Sequence, residues 1–131
     1  MYSFSIRLDG DIAEIEKVVV SALQDEGFGV LTEIDVQATL KKKLGVDRRP
    51  YKILGACNPA FANQALEAEP DIGLLLPCNV VLREEQDGAI TVSFMDPVAV
   101  LKLVDQDGIE NLATEVRSRL ERVRQALSVS A

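Results

Sequence analysis

Two cysteines are the residues of this sequence best suited to chemistry, and each is followed by an asparagine, as Cys57-Asn58 and Cys78-Asn79. Two neighbouring thiols could form a redox couple, carry sulfur or supply two ligands to a soft metal ion. We treat both thiols as candidate catalytic groups and both asparagines as candidate ligand-binding residues. Two thiols make an incomplete zinc site, which normally takes four ligands, so we expect no metal and no cofactor.

The alternative for the cysteines is plain packing, and it is the interpretation that we favour. Free cysteine is among the most buried residue types and behaves as a small apolar side chain. The asparagines then act as a helix cap and a turn residue. The sequence has no histidine, which excludes Ser-His-Asp and Cys-His catalysis. Neither a GxSxG motif nor a phosphate-binding loop is present.

A basic segment, residues 41–52 (KKKLGVDRRPYK), is the main electrostatic asymmetry of the sequence. It holds six of the 14 basic residues and one acidic residue, Asp47. One interpretation is a site for a small anionic ligand or an acidic partner. The other, which we favour, is a solvated surface with a few ion pairs. The candidate anion-binding residues are Lys41, Lys42, Lys43, Arg48 and Arg49.

Length and charge limit the class of protein. A chain of 131 residues fits one domain. Its net charge of −7 makes nucleic acid an unfavourable partner, because such binding depends on neutralising phosphates. The sequence has neither a run of about 18 apolar residues nor a signal peptide. We therefore expect a soluble cytoplasmic protein without membrane contact, in which both cysteines are thiols.

The elements around the cysteines follow from hydrophobic periodicity. Residues 51–57 are a strand, Asn58 and Pro59 begin a helix, and the apolar residues 72–76 are predicted to be an interior strand. Further strands are predicted at 2–8, 28–34, 78–84 and 89–95, with helices after Asp11, Asp35, Asp96 and Asp107. If strands 51–57 and 72–76 are parallel neighbours, both cysteines emerge at the same end of the sheet. The helix that follows Cys57 would lower its thiol pKa.

Three segments carry a resemblance to a known family: residues 27–59 (GFGVLTEIDVQATLKKKLGVDRRPYKILGACNP), 65–82 (ALEAEPDIGLLLPCNVVL) and 95–97 (MDP). They resemble the bacterial and archaeal domain of unknown function 302 over nearly the whole chain, in the same order. The family's name assigns no activity. The motif positions carried over are Cys57, Asn58, Pro59, Pro77, Cys78, Asp96 and Pro97.

The resemblance implies an α+β fold similar to that of the TATA-binding protein, in the order strand, helix, four strands, helix, with short helices inserted. It also implies a homodimer. We expect a single two-layer domain with a mostly antiparallel sheet of five to six strands and helices packed on it. The function that we predict is a non-catalytic binding or assembly module. The alternative is a thiol-dependent redox or sulfur-handling protein that uses Cys57 and Cys78.

Overall fold

A computed structural model describes residues 1–130 of the chain. The chain forms five strands and five α-helices, with one 3₁₀ helix at Pro70–Leu75. The strands are β1 (Ser3–Leu8), β2 (Gly29–Asp35), β3 (Tyr51–Cys57), β4 (Cys78–Glu84) and β5 (Ile90–Met95). The helices are α1 (Ile12–Asp25), α2 (Val36–Leu44), α3 (Pro59–Ala68), α4 (Pro97–Leu101) and α5 (Ile109–Ser130).

The five strands form one sheet in the order β1-β5-β4-β3-β2, and every neighbouring pair is antiparallel. The first two strands of the chain therefore lie at opposite edges of the sheet. Helices cover one face of the sheet, as the alternation of side chains along antiparallel strands allows. On the covered face, Leu54, Val80 and Phe94 are fully buried. The expected two-layer α+β fold with an antiparallel sheet is confirmed.

Helices α1 and α5 cover that face and form the main hydrophobic core. Their buried residues recur at helical spacing, as for Val19 and Leu23 of α1 and for Leu120 and Leu127 of α5. A second, smaller cluster lies where α3, α4, α5 and the 3₁₀ helix meet, and its buried members include Ala65, Ile72 and Leu101. The protein thus has a core under the sheet and an adjoining core among helices.

Side-chain caps begin four helices, α1 to α4, where the sequence predicts them. Asp11, Asp35 and Asn58 each accept a hydrogen bond from a backbone N–H in the first turn of α1, α2 and α3. Asp96 does the same for α4, and Pro97 follows it in the first helical position. No helix in the described part of the chain is long and apolar enough to cross a membrane.

The predicted interior strand at residues 72–76 is wrong. This segment lies within and just after the 3₁₀ helix Pro70–Leu75, which Glu69 caps through a hydrogen bond accepted from the backbone N–H of Asp71. Pro70 favours this geometry, since its fixed φ suits a helical first position. The apolar residues do not share one environment, because Ile72 is 1% exposed and Leu74 is 86% exposed. A continuous apolar run therefore did not indicate a strand here.

Candidate functional site

A small cavity of about 40 Å³ lies between the two hydrophobic clusters, at the end of the sheet where β3 ends and β4 begins. Its wall is almost entirely apolar apart from the two cysteines and one asparagine. The lining residues are Phe28, Ala56, Cys57, Asn58, Phe61, Ala62, Ala65, Leu76, Pro77, Cys78, Pro97, Leu101, Leu112 and Val116. Both cysteines thus lie at one cavity, with β3, β4, α3, α4 and α5 around it.

The cysteines reach the same end of the sheet through a different arrangement from the one predicted. Strands β3 and β4 are antiparallel neighbours, whereas the prediction required two parallel strands. Cys57 is the last residue of β3 and Cys78 is the first of β4. Helix α3 and the 3₁₀ helix form the connection between them. An antiparallel pair brings the end of one strand beside the start of the next, so the cysteines are neighbours.

The register places the two thiols at diagonal positions of the ladder. Cys78 lies opposite Ala56, so Cys57 is one position further along. On its other side Cys57 pairs with Gly29 of β2. Successive side chains of a strand point to opposite faces of the sheet, so Cys57 does not share the face of Ala56 and Cys78. Both cysteines are free thiols.

Burial raises the pKa of both thiols. It raises the pKa of Cys57, and it raises that of Cys78 to about 11, with a smaller contribution from repulsion by a Cys57 thiolate. The sequence led us to expect a lowered pKa for Cys57 because a helix follows it. In the structure burial of the side chain raises the Cys57 pKa instead. Thiols of this kind are poor nucleophiles near neutral pH, because the thiolate is the reactive form.

The two candidate asparagines have different environments. The Asn58 side chain accepts a hydrogen bond from the backbone N–H of Phe61, 3.3 Å away, and lines the cavity. Asn79 is exposed on β4, where it pairs with Gly55, and it is not part of the cavity wall. The structure therefore brings Asn58 together with the two cysteines and separates Asn79 from them.

The basic segment is remote from the cavity, since it ends in the first two residues of β3 while Cys57 ends that strand. A strand of this length spans roughly 20 Å. Lys41 is 2.8 Å from the carboxylate of Asp47. Lys52 ion-pairs with Glu16 and Glu33, whose hydrogen bonds raise its pKa. Lys41, Lys42, Lys43, Arg48 and Arg49 are all exposed, and none of the five lines the cavity.

Sequence patterns did not single out Arg119, which lies over Phe61, a residue of the cavity wall. The centre of its guanidinium lies 5.0 Å from the ring centroid of Phe61, and its Nη1 donates a hydrogen bond of 3.0 Å to the backbone oxygen of Glu26. Val116, which lines the cavity, lies three residues earlier in α5, and such residues share a helix face. That spacing was the one available signal.

Comparisons with known proteins agree with this fold. The family described as "Domain of unknown function DUF302" matches residues 4–127. No curated protein matches the chain. A solved structure, the crystal structure of an uncharacterized conserved DUF302 protein from Bacillus stearothermophilus, has a TM-score of 0.89 and 26% sequence identity; the match covers 97% of this chain and 98% of that one. This chain therefore belongs to the DUF302 family.

Proposed function

We propose that the protein is a non-catalytic binding module and that its ligand is a small molecule that enters the cavity at the cysteines. One observation supports this above all others. The cavity separates two packed clusters that would otherwise be continuous, and it is lined by residues of both, such as Phe28 and Leu101. Ligand sites are typically concave and apolar, with few polar groups in the wall.

The dimensions of the cavity limit the ligand. A volume of about 40 Å³ accommodates only a few non-hydrogen atoms. Several lining residues are half-buried, among them Asn58, Phe61 and Pro77, so the cavity lies close to the surface. The proposed ligand therefore inserts one narrow apolar end between the clusters and leaves the remainder of the molecule at the surface.

The state of the thiols favours binding over catalysis. With its pKa near 11, Cys78 is a thiol at neutral pH in all but about one molecule in 10,000. The proton stays on sulfur, which makes the side chain an apolar wall rather than a nucleophile. The binding role and the chemistry of the two cysteines are therefore consistent with each other.

Filling the cavity tests the proposed function. We expect Ala62→Leu to place its side chain in the ligand's position, since Ala62 lines the cavity and is half-buried on α3. Binding of a short straight-chain probe such as hexanol, followed by NMR shifts of the lining residues, should be lost in this variant. Ala60→Leu is the matched control, because Ala60 is exposed on the same helix and outside the wall. Equal binding by both variants would contradict the proposal.

We also propose that two copies associate through the β2 edge. This edge strand has one unpaired side and, with the adjoining α2, exposes large apolar side chains: Leu31 is 66%, Ile34 47% and Leu44 69% exposed. Such a surface is suited to a partner.

Light scattering should give the mass of a dimer for the wild-type protein and the mass of a monomer for Ile34→Lys. Val18→Lys, at a 40% exposed position of α1, should remain dimeric. A monomeric wild-type protein at high concentration would refute the association.

A further inference from the structure

We propose that the ligand of the cavity is an amphipathic carboxylate, whose apolar end enters between the two clusters and whose carboxylate binds Arg119 at the rim. This inference rests on the proposed function and specifies the chemical class of the ligand. The cavity wall alone selects for an apolar group, because it offers the ligand almost no polar partner. The charge preference comes from the residues around its mouth.

The position of Arg119 relative to the wall supports this assignment. Its guanidinium stacks on Phe61, a lining residue. At Gly27, which directly precedes the lining residue Phe28, a hypothetical Cβ atom would lie 2.8 Å from Asn58 Nδ2 and 3.5 Å from Arg119 Nη1. The Asn58 amide and the Arg119 guanidinium therefore both pack against Gly27 and lie near each other beside the cavity wall. Neighbouring amide and guanidinium donors suit an oxyanion.

The existing partners of Arg119 leave it able to bind an anion. Its Nε is 3.2 Å from a carboxylate oxygen of Glu115, whose side chain is 49% exposed. Its Nη1 bonds to the Glu26 backbone, so these contacts use two of the three guanidinium nitrogens. An ion pair this exposed contributes little free energy, so an incoming carboxylate can replace Glu115. Arg122, the next basic residue along α5, is already engaged in an ion pair with the carboxylate of Glu26 at 2.9 Å.

A carboxylate suits this arginine for geometric reasons. The guanidinium is planar and presents its N–H groups in a fork that matches the two oxygens of a carboxylate. Contact with the Phe61 ring holds the guanidinium in place, so less conformational entropy is lost when the anion binds. The aliphatic part of the ligand then extends from Arg119 into the cavity, toward Cys57 and Cys78.

The experiment compares probes that share a chain and differ in the head group: hexanoate, hexanol and hexylamine. Binding is measured by NMR titration of the wild-type protein and of Arg119→Met, Arg119→Lys and Arg122→Met. The methionine keeps an apolar stem over Phe61 and removes the charge. Arg122→Met is the matched control, because it makes the same charge change one turn along α5 at a residue that pairs with Glu26, whereas Arg119 lies over Phe61 of the cavity wall.

We expect hexanoate to bind about 10-fold more tightly than hexanol, as a charge-assisted hydrogen bond provides, and hexylamine to bind most weakly. Arg119→Met should abolish the preference for hexanoate and leave hexanol binding unchanged. Arg119→Lys should show part of the wild-type preference for hexanoate, and Arg122→Met should show all of it. Equal affinities for hexanoate and hexanol, with both at the cavity, would overturn the carboxylate inference while leaving the proposed function intact. If none of the three probes shifts the lining residues, the proposed function itself fails.

Discussion

Gly55→Ala is expected to destabilise the protein by about 2–3 kcal/mol, at the upper end of the range for overpacked positions. Gly55 lies in β3, between Thr32 of β2 and Asn79 of β4. A Cβ atom there would overlap Thr32 Oγ1 and lie 2.8 Å from Pro77 Cγ. The threonine can rotate away, whereas the proline ring cannot, so the backbone of β3 or β4 must shift. The measurement is the free energy of unfolding in urea.

Two further variants make the Gly55 prediction specific. Gly29→Ala is the control, because Gly29 lies in β2 with no atom within 4 Å of a hypothetical Cβ; we expect its free energy of unfolding to change by less than about 1 kcal/mol. Adding Thr32→Ala to Gly55→Ala should recover only part of the loss, since Pro77 remains. A Gly55→Ala protein as stable as Gly29→Ala would show that Pro77 does not press against β3.

The buried thiol of Cys78 is expected to make the protein less stable in alkali by about 2 kcal/mol between pH 8 and pH 11. The sign follows from the direction of the shift. In the folded state the Cys78 pKa is raised to about 11 from 9.0, so the unfolded chain releases its proton first. The stabilisation is complete below pH 9 and is lost as the pH rises through 11. The free energy of unfolding across this range measures the loss.

Comparison with Cys78→Ala isolates the contribution of this thiol, since the effects of alkali on the rest of the protein cancel in the difference. The variant should lose about 2 kcal/mol less than the wild type over the same range. Iodoacetamide should modify the half-buried Cys57 faster than Cys78 in the native protein. Rapid modification of Cys78 at neutral pH would contradict the raised pKa and would favour the thiol-dependent alternative over the binding role.

Much of the fold was predictable from local patterns. The alternation of apolar and polar residues in β1 and the apolar stripe along α1 indicate which face of each element is buried. The caps at Asp11, Asn58 and Asp96 predict helix starts that the structure confirms. These signals are local, because they depend on one strand face or one helical turn. The 3₁₀ helix was not predicted, because its formation does not depend on a local signal of this kind. Some residues of its apolar run are buried in the second cluster and others are exposed at the surface. Only tertiary packing determines which residues are buried.

The site was less predictable than the fold. The sequence indicated the cysteines and their common end of the sheet, but the strand partner that brings them together is β4 and not the segment 72–76. The direction of the Cys57 pKa shift depends on burial of the side chain in the folded protein, which a local sequence pattern does not indicate. Arg119 belongs to α5, 58 residues after Phe61, and no short-range pattern links the two.

The strand order has a consequence for how the chain acquires its structure. In the sheet β1 pairs with β5, so Ser3 cannot pair until Met95 has been synthesised. Helix α1 must cross to the opposite edge before β2 can join β3. When the first 50 residues have emerged from the ribosome, β1 and β2 therefore have no partner strand. Long-range pairing of this kind slows folding, and the unpaired strands are open to aggregation meanwhile. The edge strand β1 therefore depends on completion of the second half of the chain, where β5 is its partner, whereas β2 can pair as soon as β3 follows it.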